Sequence, residues 1–175
     1  MFAHTAKPPI MHRAIVLAGL AGALAEVIWV ALYSVFMPLS GNEVLRQITA
    51  SIFPGMTASA WAPTLGLAIH FALGVLVAYA FGLLVWQSFA KRLGMGPTLA
   101  TALLVLVAIW TFNFFVLLPV VNAKFIGLMP YAVTFASKAL FGVAMGTVLN
   151  LFAIETSAEV DVTPLATGPR SLVHD

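Results

Sequence analysis

Four long apolar stretches, nearly free of charge, dominate the sequence: residues 14–37, 63–86, 97–120 and 130–154. Each exceeds the roughly 20 residues that a helix needs to cross about 30 Å of hydrocarbon. A bilayer offers the backbone no water, so the chain must satisfy its own hydrogen bonds, and long apolar runs then read as helices. A β-barrel would instead show short alternating segments. Composition closes the soluble alternative. Hydrophobic residues make up 62% of the 175 and charged residues 8%, against about 25% charged in soluble domains. Mean hydropathy is +1.05. The expectation is an all-α integral membrane protein, a four-transmembrane-helix bundle.

The first run follows His12 and Arg13 but is longer than the about 7–15 residues of a signal h-region, and no A-x-A site follows. It reads as a retained helix after a cytoplasmic N-terminus, residues 1–13. Lys7, Arg13, Lys91, Arg92 and Arg170 fall on one side of the four spans, and only Arg46 and Lys124 on the other. The positive-inside rule then puts both termini in the cytoplasm. Trp61 and Trp86 bracket the second span, as interfacial anchors would.

The second and third connections have about ten residues each and predict tight hairpins. The first outer connection is longer. It holds Ser40-Gly41-Asn42-Glu43, a capping-box pattern, then Val44, Leu45, Ile48, Ile52 and Phe53 at helical spacing before Pro54-Gly55. This predicts a short amphipathic interfacial helix: a packing strap, or else a gating lid or docking surface. From Glu155 the chain turns polar, with Glu159, Asp161, Pro164, Gly168 and Pro169, and residues 155–175 read as a flexible cytoplasmic tail.

The halves resemble each other. Ile28-Trp29 precedes Pro38 by the same spacing as Ile109-Trp110 precedes Pro119, and Asn42 and Asn122 follow. His70-Phe-Ala-Leu-Gly74 matches Lys138-Ala-Leu-Phe-Gly142. The offset is 81 residues in the first match and 68 in the last, a difference close to the length of the amphipathic helix. An internal repeat of this kind implies two tandem parallel helical hairpins.

Ionisable residues inside spans are costly and default to functional candidates. Glu26, His70 and Lys138 are the three, and Asn113 adds an amide. At 1.5 Å per residue, His70, Asn113 and Lys138 share a level in the outer half, and Glu26 lies deeper by about 6–9 Å. Each ionisable group also lies on a stripe of small residues: Gly22 beside Glu26, Gly74 and Gly82 beside His70, Gly142 and Gly146 beside Lys138. Such stripes mark close helix packing. An intramembrane polar cluster follows. Glu26 and Lys138 can neutralise each other in a buried pair that fixes helix register, or the group can carry protons or a solute. A haem or metal site is a weaker reading, because haem bundles usually pair two His and His70 stands alone among the spans; His4, His12 and His174 are terminal. No cofactor or metal is expected.

Other functions find little purchase. Without Cys there is no thiol chemistry. The net charge of +2 gives no footprint for nucleic acid, and the pI of 9.2 reflects few ionisable groups. Gly94-Met95-Gly96 is a turn without a phosphate-binding context. No catalytic set is visible, so an enzyme ranks below proton, ion or small-solute handling as a homo-oligomer, and below an accessory or structural subunit of a larger membrane-protein complex.

The Gly-rich first helix, His70, Leu118-Pro119 ending the third span, and Ser137-Lys138-Ala139-Leu140-Phe141-Gly142 resemble the YagU-type bacterial inner-membrane proteins. The resemblance implies a small multi-pass protein of the bacterial inner membrane, linked to acid resistance. The chain departs from that pattern in its shorter outer loop and in Lys138, where an acid is expected.

Overall fold

A computed structural model describes residues 8–88, 92 and 94–161, with the backbone alone at 8–10 and 155–161. The described residues are helical throughout, with short connections and no strand among them. Helix α1 runs Pro8–Phe36, α2 Gly41–Ile52, α3 Ala62–Phe81, α4 Met95–Phe112, α5 Leu118–Val121, α6 Ala123–Leu128 and α7 Tyr131–Asp161. Four stretches are long and apolar enough to cross a membrane: Met11–Phe36, Ala62–Trp86, Met95–Val121 and Tyr131–Ile154. Their ends fall within a few residues of those expected from hydropathy.

Proline and glycine set the joints. Pro63 sits in the first turn of α3, where its missing N–H has no intrahelical role. The carbonyl of Pro130 accepts from Val133 and Thr134 N–H and so starts α7. Gly94 takes φ +88° just before α4, a conformation that L side chains rarely adopt. Two spans change pitch. Gly82–Trp86 prolongs α3, and Asn113–Leu117 joins α4 to α5, each as a π-turn. Such turns widen the helix by one residue, and nothing in the local sequence announces them.

The principal interfaces are α1 with α7, α4 with α7 and α1 with α3. The order across the molecule is therefore α3, α1, α7, α4. Two hairpins, α1–α3 and α4–α7, meet through their first and last helices. Glycines let the backbones approach. A Cβ on Gly22 would lie 2.8 Å from the Phe141 ring, and one on Gly74 2.8 Å from Ala23 Cβ. Ile15 fills the equivalent space at Gly82, Leu99 at Gly146, and the Ala102–Leu103 backbone lies against Gly142. The main apolar core (Ala14, Ile15, Ala18, Ala78, Phe81, Trp86, Ala102, Leu106, Phe141, Met145 and Leu149 among others) fills the half near the terminal ends of α1 and α7.

The other end is capped by α2 and α6. Helix α2 buries Val44, Gln47 and Thr49; Thr49 Oγ1 donates to the Ala62 carbonyl at 2.6 Å. Gly66 leaves room for the Leu45 carbonyl, which a side chain at that position would strike. Asn122 caps α6 by accepting from Phe125 N–H at 3.3 Å. Its Nδ2 donates to the Gln47 carbonyl at 2.9 Å and to Ser51 Oγ at 3.1 Å, tying the second half of the chain to α2.

Several expectations need correction. The Ser40–Glu43 capping box does not form: the Ser40 side chain makes no cap bond. Glu43 instead accepts from Gln47 at 2.8 Å and Lys124 at 3.1 Å. Trp61 is exposed, but Trp86 is 6% exposed and belongs to the core, because the π-turn carries it inward. The third connection is not a bare hairpin, since it forms α6. Helix α7 does not stop where the sequence turns polar at Glu155 but continues to Asp161. The rest of the expected tail, including Arg170 and His174, lies outside the described residues, as do His4 and Lys7 at the N-terminus and Lys91 in the second connection.

Candidate functional site: a buried charge group

Glu26 projects from the middle of α1 and its side chain is 4% exposed. A lone carboxylate there would cost several kcal/mol; three partners offset the cost. Lys138 Nζ lies 2.7 Å from Oε1 and 2.9 Å from Oε2, so the ammonium bridges both oxygens. Ser137 Oγ donates to Oε1 at 3.1 Å. His70 Nε2 lies 3.6 Å from Oε2 and 3.2 Å from the Ala23 carbonyl. A carbonyl can only accept, so the geometry assigns the ring proton to Nε2.

The local sequence explains the convergence. Residues 137 and 138 are successive on α7, and both reach one carboxylate from its two sides. Ala23 lies one turn before Glu26 on the same face of α1, so the Ala23 carbonyl and Glu26 form a single acceptor edge for His70. Lys138 and His70 are 25% and 18% exposed at the side chain, so the group reaches the molecule's surface through its proton-bearing members. Lys138 Nζ also stands 5.7 Å from the centroid of the Phe141 ring, a cation–π distance.

Glu26, His70 and Lys138 are thus brought together. Asn113 is not. It opens the π-turn of the third span, half-buried, and makes no side-chain hydrogen bond to the group. The residue that sequence reasoning missed is Ser137, although its place beside Lys138 on α7 was a usable signal. Two further side chains support the site from one helix away. Trp29 Nε1 donates to the Val133 carbonyl at 2.9 Å, and Trp110 Nε1 to Thr134 Oγ1 at 3.0 Å. Both fix the turn of α7 that precedes Ser137. Trp110 is itself held by edge contact with Phe135 and by stacking on Phe114.

Two shallow surface grooves of about 330 Å³ each lie elsewhere. One is lined by Met56, Trp61, Thr64, Leu65 and Ala68, the other by His12, Arg13, Val16 and Leu17. Among the described residues no cluster of His, Cys, Asp and Glu has a metal-holding arrangement. No family model matches the chain, and no curated protein or solved structure is significantly similar to it.

Proposed function

We propose that the chain is a multi-pass membrane protein that handles protons, ions or a small solute through the Glu26–Lys138–His70 group, acting as a homo-oligomer. One observation carries the reading: a buried carboxylate touches two side chains that can each give up or take a proton, and both partners stay partly exposed. Glu26 and Lys138 neutralise one another, and His70 supplies the one side chain whose ordinary titration lies near neutrality. Helices α3 and α4 share no extensive interface, and a second copy would close a pathway on that side. The resemblance to YagU-type proteins and the distribution of Lys and Arg support a bacterial inner membrane with both termini cytoplasmic. A phosphatase fused after Asp175 is then inactive, and one inserted near Gly55 active.

The matched motifs support an internal duplication, although the extensive α1–α7 interface has no counterpart between α4 and α3. The halves have diverged, because Trp29 and Trp110, its matched tryptophans, both bond to α7. A second reading, an accessory subunit of a larger complex, has its own support. In the apolar stretch of the span Met95–Val121 only 11% of the residues are buried within the chain, which leaves a broad face for a partner.

Reconstitution separates the two. In proteoliposomes a pH-dependent flux is expected from the wild type and is lost in His70→Phe, which keeps bulk but binds no proton, while the protein still folds. No flux above empty liposomes across pH and ion gradients, together with a large partner retained in mild detergent, would replace transport by the accessory role.

A further inference from the structure

The two directions away from Glu26 are chemically unequal. On α7 the buried face toward the α2/α6 end carries hydroxyls, Ser137 and then Thr134. Thr134 Oγ1 accepts from Trp110 and donates to the Tyr131 carbonyl at 3.0 Å. In the opposite direction the same face carries Phe141, Met145 and Leu149, all at most 2% exposed, and meets a polar side chain again only at Asn150, about three turns beyond Lys138. Helix α1 repeats the contrast. Trp29 and Ser34 lie toward the cap, and Ala23, Ala18 and Ile15, each fully buried, lie toward the terminal end. The Phe141 ring closes the boundary, seated between Gly22 and Gly74 directly below the ammonium. Tightly packed apolar regions of this kind stay dry, whereas polar linings hold water.

The cap over the polar side is slight. Its buried apolar contacts centre on Val44, Met129 and Val133, with partly buried neighbours such as Trp29, Tyr33 and Phe125. The rest is polar: the buried Thr49–Ala62 bond and the Arg46 bonds hold α2 at its α3 side, while toward α6 the ties are the Asn122 bonds and the exposed Lys124–Glu43 pair. Small clusters with polar ties open at far lower free energy than a continuous core.

We infer that water and small hydrophilic solutes reach the charge group from the α2/α6 end only, that α2 and α6 form the closing element, and that Phe141 is the seal on the other side. The inference rests on the membrane-spanning reading proposed above and adds the side of entry.

The chain has no Cys, so single cysteines report hydration without background. Thr134→Cys and Met145→Cys are reconstituted separately and treated with a charged, membrane-impermeant methanethiosulfonate from either side. Thr134→Cys is expected to react from the α2/α6 side only. Adding Asn122→Ala should accelerate it about tenfold, equivalent to about 1.4 kcal/mol in the closing equilibrium. Met145→Cys should stay unreactive from both sides. Should Thr134→Cys fail to fold, Ser137→Cys carries the same expectation. Labelling of Met145→Cys from the terminal side, or an inert residue 134 even with Asn122→Ala, would overturn the inference. The expected labelling in a protein without flux would support one-sided access and count against transport alone.

Discussion

Among the described residues there are two lysine–glutamate pairs, and both tie the first half of the chain to the second. Lys138–Glu26 is 2.7 Å long, with side chains 25% and 4% exposed. Lys124–Glu43 is 3.1 Å long, with side chains 70% and 35% exposed. The chemistry is the same and the surroundings differ. At the cap, water solvates both partners when they part, so the pair contributes about 0–1 kcal/mol and is screened by salt. In the middle of α1 the Glu26 side chain is 4% exposed, so removing its partner strands a charge that bulk water solvates poorly. The lesson is that the inner pair constrains how α1 and α7 can pack, while the outer pair only trims the cap.

The largest effect expected from this contrast is at the inner pair. Lys138→Met leaves Glu26 with Ser137 and His70 alone, and should lower stability by about 3–5 kcal/mol. A thermal-unfolding series in detergent measures it, and a loss below about 1 kcal/mol would break the contrast. Next comes the cap's seat on α3. Gly66→Ala drives a Cβ into the Leu45 carbonyl, and α2 must shift at a cost of about 1–3 kcal/mol. Faster hydrogen exchange confined to α2 and α6 would mark it.

The smallest effect belongs to the outer pair. Lys124→Gln should change stability by at most about 1 kcal/mol, and the difference should vanish in high salt. Acid probes the same pair. Hydrogen bonds from Gln47 first and then Lys124 hold the Glu43 carboxyl below its ordinary 4.5. A depressed pKa contributes stability that is present above the ordinary value and fades as pH falls through the lowered one. Loosening of the cap as pH falls below 4.5, read by exchange at α2, should therefore be present in wild type and weaker in Glu43→Gln, to an extent within about 1 kcal/mol.

Legibility from sequence follows the range of the forces involved. The four spans were readable because apolar length is a local property, and it located Met11–Phe36 and Tyr131–Ile154 nearly to the residue. The amphipathic periodicity of Val44, Leu45 and Ile48 likewise announced α2. The capping box failed because Glu43 found better donors on the other side. Glu43 accepts from Gln47 one turn on and from Lys124, 81 residues away, and these two donors together outweighed the Ser40 N–H. Trp86 looked interfacial because position along a helix suggests depth but not which way a π-turn rotates the side chain. At the site, the placement of Glu26, His70 and Lys138 on small-residue stripes could be read from spacing alone. Ser137 is less legible because a hydroxyl in a span is cheap and carries no charge signal, although a carboxylate with two oxygens needs more than one donor. Asn113 had the right depth on a helix whose principal neighbour is α7, not α1.

A double-mutant cycle on each pair tests the central claim most directly. Glu26→Gln, Lys138→Met and their combination are compared with Glu43→Gln, Lys124→Gln and theirs, by equilibrium unfolding in the same detergent. A coupling energy of several kcal/mol is expected at Glu26–Lys138, with the double variant recovering much of what either single change loses. At Glu43–Lys124 the coupling should be below about 1 kcal/mol. Additive losses at Glu26 and Lys138, or equal couplings at the two sites, would contradict the account.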